Sequence, residues 1–443
     1  MGAYTLSPLI LSILEKRGIQ KEHIGRFLEP QFERDCHSPF LLSDSEKMAG
    51  RVLRAIDSGE RIAVYSDFDC DGIPAAVIMH DLFKLLAYEH VEFYIPDRDT
   101  EGFGFHAHAV DKLHERHVSL IITVDVGAAA PETVRHAQSL GIDVIITDHH
   151  EYVEPLEAFA CVHPQKEPYP FPHLCGAGVA FKCAQAILQH GVANAHPRCT
   201  AVRPGMEKWM LDMVALATVA DMVPLVDENR CLVHFGIQVL RKSRRPGIRT
   251  LCKVARVLQK SLTEDDIGFS LAPRVNAASR MSSPRLAFTL FTTDDEVLAE
   301  QLAKELDSLN TKRKSLTASI TKQIKKRLEH MTEIPAVIVL GSLEYKPALL
   351  GSVATSLVQT YKRPVCLWGR EQTGTLKGSA RTDGTVSVVA LLAGAGDVLI
   401  HSGGHEGAGG FAVHHERVHE LEQALCASYN SCATVKESTE EVH

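Results

Sequence analysis

The sequence lacks the features that would place it in a membrane or in an oxidising compartment. No segment approaches the run of about twenty apolar residues that a membrane-spanning helix needs. The first residues, Met1 to Thr5, contain no basic stretch followed by an apolar one, so no secretory signal is predicted. The eleven cysteines are an odd number and form no CxxC pair, which disfavours a disulfide framework and a zinc ribbon. We therefore expect reduced cysteines and a cytoplasmic protein.

The chain also lacks an excess of basic residues over acidic ones. Its 47 Lys and Arg residues against 55 Asp and Glu residues give a net charge of -8. That balance argues against bulk affinity for nucleic acid, although a local basic groove depends on the local field and not on total charge. With 443 residues, 45% of them hydrophobic, the sequence is typical of a globular protein of two or three domains.

Three short apolar runs, each followed by an aspartate, are the strongest pattern in the first half of the chain. They cover residues 61–66, 119–124 and 143–147. The aspartates that follow are Asp67, Asp125 and Asp148, and helical stretches such as residues 75–86 lie between the runs. Strands that are apolar on both faces and alternate with helices indicate a parallel α/β sheet. Because chemistry collects at the carboxyl ends of such strands, these aspartates are expected at one site.

The pattern of the whole chain predicts an α/β protein with a parallel-sheet main domain joined by a long helix to a smaller α/β domain. The predicted parts are a helical N-terminal segment over 1–50, the main domain over 51–292, the connecting helix over 293–330, the smaller domain over 331–430 and a disordered tail over 431–443.

Carboxylates cluster just after the first predicted strand. Asp67, Asp69 and Asp71 stand on alternate residues and would share one side of an extended chain. Clustered carboxylates repel one another unless a cation neutralises them. A calcium loop of the EF-hand type is disfavoured because the twelfth position is Ile78 instead of glutamate.

Histidines and a further acid extend this cluster. His149 and His150 directly follow Asp148, and Asp221 is an acid within an otherwise apolar run. Asp125, which precedes Gly127, has turn formation as an alternative role. A mixed Asp and His set with more than four ligands suits Mn²⁺ or Mg²⁺ better than tetrahedral zinc, and it is large enough for two ions that share a carboxylate.

Two other segments have the composition of phosphate-binding sites. Residues 273–280 offer Arg274, Asn276 and Arg280, with a solvated basic surface as the alternative interpretation. Residues 402–410 contain five glycines around His405 and could form a loop whose N–H groups cradle an anion; a tight turn between two elements is the alternative. A third basic element, KGSAR at 377–381, ends on Arg381.

Taken together, these motifs resemble the DHH phosphoesterases, and among them the RecJ-type exonucleases that degrade single-stranded DNA from 5′ to 3′. The resemblance runs from about Arg17 to Phe411. Its motifs are SDFDCDG (66–72), IPDR (95–98), EGFG (101–104), TVDVG (123–127), TDHH (147–150), CGAGVAF (175–181), residues 217–230, PRVNAASR (273–280), KGS (377–379) and GGH (403–405).

The resemblance implies a role for each of these side chains. Two Mn²⁺ or Mg²⁺ ions would be held by Asp69, Asp71, Asp125, His149 and Asp221, with Asp125 as the bridge. The catalytic set would also include Asp67; His150 would face the substrate phosphate, and Asp148 would orient the histidine pair. The DNA phosphates would be bound by Arg274, Asn276, Arg280, Arg381 and His405, in a cleft between the two domains that admits one strand. The two ions would activate water and neutralise charge on the phosphate oxygens.

Two departures from the family pattern leave alternatives open. Many DHH enzymes have a histidine where this chain has Tyr65, so one ion would be held more weakly or Asp67 would compensate. Only 32 residues follow Phe411, which leaves no room for the OB-type domain that helps relatives grip single strands. We therefore expect weaker binding of DNA, and a single-strand-binding protein or a helicase as a possible partner.

Three functions remain open on the sequence. The first is a metal-dependent exonuclease of single-stranded DNA that acts in DNA repair and recombination. The second is a phosphodiesterase for short oligonucleotides or dinucleotides. The third is a catalytically inactive replication scaffold, which is disfavoured because Asp69, Asp71, Asp125, His149 and Asp221 are all retained.

Overall fold

The computed structural model of the protein describes residues 6–153, 155–371 and 374–432. The chain divides into two compact units, Met1–Asp307 and Ser308–His443. The finer domain boundaries stay a prediction, and the tail predicted to be disordered lies outside the described residues from position 433 onward. Among the described residues, no helix combines the length and the apolar character needed to cross a bilayer.

Ten strands form the two sheets. They are β1 (Arg61–Ser66), β2 (Val91–Tyr94), β3 (Val118–Val124), β4 (Asp143–Thr147), β5 (Ala160–Val162), β6 (Ile338–Gly341), β7 (Val365–Arg370), β8 (Leu376–Arg381), β9 (Leu399–Gly404) and β10 (Ala408–Val413).

Helices make up most of the remaining structure. In the first unit they are α1 (Pro8–Lys16), α2 (Ile24–Leu28), α3 (Phe32–Asp35), α4 (Ser45–Asp57), α5 (Gly72–Leu85), α6 (Ala107–Glu115), α7 (Pro131–Ser139), α8 (Gly176–Ala193), α9 (Pro197–Thr200), α10 (Leu211–Ala220), α11 (Asp227–Lys242), α12 (Pro246–Ala255), α13 (Glu264–Asp266), α14 (Ala272–Met281) and α15 (Arg285–Thr292). The long α16 (Glu296–Glu329) contains the division between the units, and α17 (Pro347–Tyr361), α18 (Val388–Ala393) and α19 (Leu421–Cys432) follow.

The first unit is built on a parallel sheet, as predicted. Its strand order is β2-β1-β3-β4-β5, and all neighbouring strands run parallel. The central strands are buried on both faces because helices cover both sides; Ile62 and Val64 point one way and Ala63 and Tyr65 the other, and all four are inaccessible to solvent. The apolar runs of the sequence are therefore core strands.

The second unit has a mixed sheet of order β6-β7-β8-β10-β9. Only the pair of β6 and β7 is parallel, while the other neighbours are antiparallel. Its core is formed by residues such as Leu376, Leu391 and Phe411, which are separate from the core of the first sheet. This unit is the smaller α/β domain that the sequence predicts.

The interpretation of residues 402–410 as an anion-cradling glycine loop is wrong. Most of this segment lies in the hairpin of β9 and β10, where Gly409 pairs with Gly404 and Gly410 with Gly403. Only His405 to Gly407 form the turn, which is closed by a hydrogen bond of 2.8 Å from His405 N to Ala408 O. The structure therefore agrees with the alternative interpretation, a tight turn between two elements.

A candidate metal centre at the strand ends

The carboxyl ends of three neighbouring strands are in register. Ser66 of β1 is opposite Val124 of β3, which is opposite Thr147 of β4. The next residues are Asp67, Asp125 and Asp148, so one edge of the sheet presents three acids side by side. All three are at least 95% buried, with exposed fractions of 5%, 1% and 1%.

The chain after β1 does not stay extended, so the predicted alternation of its three acids along one side is wrong. It turns at Asp69 and enters α5 at Gly72. The turn is closed by Asp69, whose Oδ1 accepts hydrogen bonds of 2.7 Å from Asp71 N and 3.2 Å from Gly72 N. Gly72 is required because a Cβ there would overlap the carbonyl of Asp67. The turn still brings Asp67, Asp69 and Asp71 to the same edge of the sheet.

Three overlapping groups of side chains in this region have metal-ligating atoms within 4.8 Å of one another. They are Asp67, Asp69 and Asp125; Asp71, His149 and Asp221; and Asp125, His149 and His150. Asp125 and His149 each belong to two of these groups. Asp125 links the first group to the third, and His149 links the second to the third, so the combined set is large enough for a pair of ions.

His149 is surrounded by carboxylates. Its Nε2 lies 3.2 Å from Asp125 Oδ1, 3.6 Å from Asp71 Oδ2 and 3.9 Å from Asp221 Oδ2. Yet Nε2 makes no hydrogen bond among the described residues, and the same is true of the buried Oδ1 atoms of Asp67 and Asp125. Buried polar atoms without partners are costly. Because a divalent cation would satisfy all three, the residues present fit such an ion.

The electrostatics of the acids support the same conclusion. Burial and then the charges of Asp71 and Asp69 raise the pKa of Asp125 well above its ordinary value. Burial and the same two neighbours raise the pKa of Asp221 to about 8. The pKa of Asp67 is also raised, by burial and by Asp69. Like charges held this close in a buried site need a cation to remain ionised together.

Asp148 differs from the other strand-end acids because both oxygens of its carboxylate have hydrogen-bond partners. Its Oδ1 accepts from the backbone N–H of His149 at 2.8 Å and lies 2.8 Å from His150 Nδ1, while Oδ2 accepts from Ala128 N at 2.9 Å. Burial alone would lower the pKa of His150, but the hydrogen bond and charge of Asp148 raise it to about 9. The Asp148 carboxylate therefore orients the imidazole of His150 directly, and it positions His149 by accepting a hydrogen bond from the His149 backbone N–H.

Helix α8 supplies a second support for the acids. Asp71 accepts hydrogen bonds from the first two N–H groups of this helix, Gly176 at 2.6 Å and Ala177 at 2.7 Å. The positive end of a helix dipole stabilises a carboxylate there. In the sequence, only the family resemblance distinguishes the motif around Gly176. Its contact with Asp71 joins residues 105 positions apart, which no local pattern indicates.

Two more side chains beside the acids had no role in the sequence interpretation. Arg98 stacks over the Phe68 ring at 4.9 Å, and its charge acts to lower the pKa of Asp67. Phe103 is 56% exposed and its ring lies 5.5 Å from the ring of His150. Both belong to the IPDR and EGFG motifs, so the signal was present in the sequence.

The predicted phosphate-binding residues of α14 are held by other contacts. Arg274 donates to Asp307 at 2.9 Å and to the Ser270 carbonyl at 2.6 Å. Asn276 accepts a hydrogen bond of 3.0 Å from Cys70 N, so it braces the turn that carries the acids. Arg280 is partly buried on the same helix. A π-helical segment, Ile267–Leu271, directly precedes α14, and such segments are frequent at functional sites.

The other two predicted phosphate-binding residues belong to the second unit. Arg381 ends β8, donates to the Ala380 carbonyl at 2.7 Å, and has its pKa lowered by burial. His405 is exposed in the hairpin turn next to it, because Ala408 of that hairpin pairs with Arg381. Arg381 and the turn that carries His405 therefore lie at the same end of their sheet.

Tyr65 is not among the grouped ligand atoms. It is fully buried, its hydroxyl donates to the Gly104 carbonyl at 2.8 Å, and its ring stacks on Tyr94 with centroids 5.2 Å apart. Asp67 instead joins Asp69 and Asp125 in a candidate ligand group. This placement supports the alternative in which Asp67 compensates for the missing histidine.

Comparisons with known proteins agree with this site. Residues 61–218 match the model of the DHH family, N-terminal domain, and residues 333–431 match that of the DHHA1 domain. The single-stranded-DNA-specific exonuclease RecJ of Escherichia coli is 31% identical over 438 residues, which cover 94% of this chain and 74% of the relative. The chain belongs to the RecJ family.

Other RecJ proteins show the same likeness. The Bacillus subtilis RecJ is 37% identical over 426 residues, and these cover 95% of this chain but 52% of the relative. The chain thus spans about half the length of that RecJ. A crystal structure of RecJ bound to manganese matches with a TM-score of 0.79 and 29% identity, covering 91% of this chain and 99% of the other. The Thermus thermophilus RecJ in complex with Mn²⁺ matches with a TM-score of 0.80 and 28% identity, covering 96% and 59%.

Proposed function

We propose that this chain is a metal-dependent exonuclease that hydrolyses the phosphodiester bonds of single-stranded DNA from 5′ to 3′. The observation that carries the proposal is the buried group around His149 Nε2, where three carboxylates converge on an atom without a hydrogen-bond partner among the described residues. The relatives in Bacillus subtilis and Escherichia coli are single-stranded-DNA-specific exonucleases.

Two divalent cations fit the ligand groups. Asp67, Asp69 and Asp125 would hold one ion, and Asp71, His149 and Asp221 the other. Asp125 is proposed to contribute to both ions, because it belongs to the first group and its Oδ1 lies 3.2 Å from Nε2 of His149 in the second. When bound, Mn²⁺ or Mg²⁺ would make water nucleophilic near neutral pH and offset the charge that develops on the phosphate.

The protein's own residues would orient the phosphate. Asp148 lies 2.8 Å from His150 Nδ1 and raises the pKa of His150. The protonated imidazole, held in this orientation, can donate a hydrogen bond from Nε2 to a phosphate oxygen. Asp148 is itself held by Ala128 N, which keeps the imidazole in place. Arg98, beside Asp67, is a second cation available to the scissile phosphate or its neighbour.

Basic residues of each unit are proposed to contact the rest of the substrate. Arg280, Arg381 and His405 are proposed to contact DNA phosphates. Arg274 and Asn276 are assigned a positioning role instead, because Arg274 donates to Asp307 and Asn276 Oδ1 accepts from Cys70 N. The protein would work in the cytoplasm in repair and recombination, and a single-strand-binding protein or a helicase would deliver the strand. The eleven free cysteines support a reducing compartment.

The test is a time course on single-stranded DNA labelled at either end, in Mn²⁺. We expect a 5′ label to appear at once as mononucleotide, and a 3′ label to remain on progressively shorter strands. Asp125→Asn should abolish release, while Asp265→Asn, at an exposed acid on α13, should not change it. Consumption of a dinucleotide but not of long DNA would instead support the oligonucleotide phosphodiesterase. Equal, low turnover in wild type and Asp125→Asn would support the scaffold.

A further inference from the structure

The first unit contains a cavity that is not lined by the metal ligands. It has a volume of about 360 Å³ and lies between the N-terminal helices and the start of α11. Its lining includes Arg17, Ile19, Phe27 and Arg230, and none of the candidate metal ligands. Pockets of a few hundred Å³ are of the size that holds a small ligand.

The charges lining this cavity are unbalanced. Four arginines and two aspartates face it. Asp35 is already paired with Arg34 at 2.6 Å and lies 3.5 Å from Arg26. The other acid, Asp227, lies 3.2 Å from His37 Nε2.

Of the four arginines that line the cavity, Arg17 and Arg230 are the two without an ion pair in the described parts of the chain. Within the described parts of the chain, neither has a carboxylate oxygen within 4.0 Å. Burial lowers the pKa of Arg230, and the nearby positive charge of Arg17 lowers it further, against the opposing charge of Glu264. Two like charges at one cavity wall are a binding position for an anion, because an anion removes their repulsion.

Arg230 is also held in a fixed orientation. Its Nε donates to the Phe27 carbonyl, and its guanidinium carbon lies 3.6 Å from the centroid of the Phe27 ring. That hydrogen bond and the stacking leave both terminal nitrogens of the guanidinium for a ligand, and none of the described residues accepts from them. A guanidinium fixed in this way presents the paired donors that match a phosphate.

Apolar side chains form the rest of the wall. Ile19 and Phe27 are half-buried, and Pro30 and Val226 also line the cavity. The volume and this apolar surface exceed what a bare phosphate would use. The combination of two arginines with an apolar wall suits a phosphate monoester that carries a ring system.

We propose that this cavity binds a nucleoside monophosphate, with its phosphate between Arg17 and Arg230 and its nucleoside against the wall of Ile19 and Phe27. The site is separate from the metal centre, and its occupancy would bridge the N-terminal helices and α11. The proposal does not depend on the exonuclease activity, because it concerns binding in the absence of divalent ions.

The test is calorimetric titration of the whole protein with thymidine 5′-monophosphate in EDTA, where hydrolysis is silent. Arg17→Ala is the main variant because Arg17 is exposed and its loss leaves the core intact. A charged hydrogen bond contributes enough to predict a loss of affinity of about tenfold or more. Arg135→Ala, at an exposed arginine of α7 outside the cavity, is the matched control and should bind like wild type.

Two further arms separate the sources of a signal. Asp125→Asn should retain wild-type affinity for the nucleotide, and thymidine should bind at least about tenfold more weakly than its monophosphate. The proposal is overturned if wild type shows no binding, if Arg17→Ala binds as tightly as Arg135→Ala, or if Asp125→Asn loses binding. Inorganic phosphate that binds as tightly as the nucleotide would also overturn it, because the apolar wall would then contribute nothing.

Discussion

Asp71 and Gly176 are joined across the site by a hydrogen bond of 2.6 Å from the glycine N–H to the carboxylate. The same glycine packs against Asp125, since a Cβ at this position would overlap the Asp125 carboxylate. One residue at the start of α8 therefore holds one acid and leaves room for another. Helix α8 is part of the metal centre although it carries none of its ligands.

Gly176→Ala should abolish most of the activity without unfolding the protein. The added methyl group must displace Asp125, and a displacement of about 1 Å in an active site costs about a hundredfold in rate. The measurement is the rate of mononucleotide release in saturating Mn²⁺. Gly25→Ala is the control, because nothing lies within 4 Å of a Cβ there. Unchanged activity of Gly176→Ala would contradict the close packing of this helix against Asp125.

Asn276→Ala should weaken the response to metal. Its Oδ1 accepts from Cys70 N in the turn between Asp69 and Asp71, so truncation leaves a buried N–H without a partner and loosens the turn. Such a loss costs about 1–3 kcal/mol. We expect the Mn²⁺ concentration at half-maximal activity to rise at least about fivefold, the equivalent of about 1 kcal/mol. Asn276→Leu retains the volume without the acceptor, so it separates loss of the hydrogen bond from loss of volume. A metal response identical to wild type in Asn276→Ala would refute the role.

Divalent ions should stabilise the fold. The buried acids around Asp125 repel one another, and a ligand that binds only the folded state adds about 2.7 kcal/mol at a concentration of 100 Kd. We expect Mn²⁺ to raise the melting temperature of wild type relative to EDTA, and to raise that of Asp125→Asn by much less. In EDTA the Asn variant should be at least as stable as wild type, since one of the repelling charges is removed. Differential scanning fluorimetry measures both; an equal Mn²⁺ shift in the two proteins would argue against an ion at Asp125.

Glu101 should make the first unit sensitive to acid. Burial would raise its pKa, but hydrogen bonds from Tyr94, Asp97 N and His108 lower it to about 2. A carboxyl whose folded pKa lies below its unfolded value of 4.5 contributes stability above pH 4.5, and that stability is lost as the pH falls toward 2. Between pH 6.5 and 3.5 wild type should lose about 1–2 kcal/mol more than Glu101→Gln.

Urea denaturation at the two pH values measures this difference. Glu132→Gln, at an exposed residue of α7, should show the same pH response as wild type. If Glu101→Gln also follows the wild-type pH response, the hydrogen bonds to Glu101 do not contribute as described.

Lys182→Met should destabilise the protein by about 3–5 kcal/mol, because it leaves Glu228 charged and unpaired in the core. Lys182 and Glu228 are paired and fully buried, and Lys182 Nζ also donates to the His37 carbonyl at 2.6 Å. Removing both charges in Lys182→Met with Glu228→Gln should recover part of that loss. Chemical denaturation of the two single variants and the double variant forms the cycle; additive effects would show that the pair is not coupled.

The strand-end acids were predictable because their signal is local. The apolar run at residues 61–66 and the aspartate that follows it, Asp67, are adjacent in the sequence, so no distant residue is needed to recognise them. Parallel strands in register then bring such strand ends together. The turn after Asp67 was not predictable, because it depends on a hydrogen bond from the backbone N–H of Gly72 to the Asp69 side chain. The partners of Arg274 and Asn276 come from residues 33 and 206 positions away, and composition does not indicate such distant pairings.

The hairpin of β9 and β10 shows a second limit. Five glycines in nine residues suggest a loop, but small residues also permit a helix to pack closely on a sheet: a Cβ on Gly409 would lie 2.8 Å from Cγ1 of Val388 in α18. Whether such a segment pairs depends on the strand beside it. Here β8 supplies the partner, which a window of nine residues does not contain.

The register of β1, β3 and β4 also determines when the metal centre can exist during folding. Its ligands extend from Asp67 to Asp221, so no fragment that has only local contacts contains the complete set. Parallel strands pair only after long loops have closed, which makes such contacts late and slow. Binding of the ions therefore reports that the sheet has formed and that Asp221 has reached it. A partly folded chain has the acids but not the site, because the acids can bind an ion together only once the strands have paired.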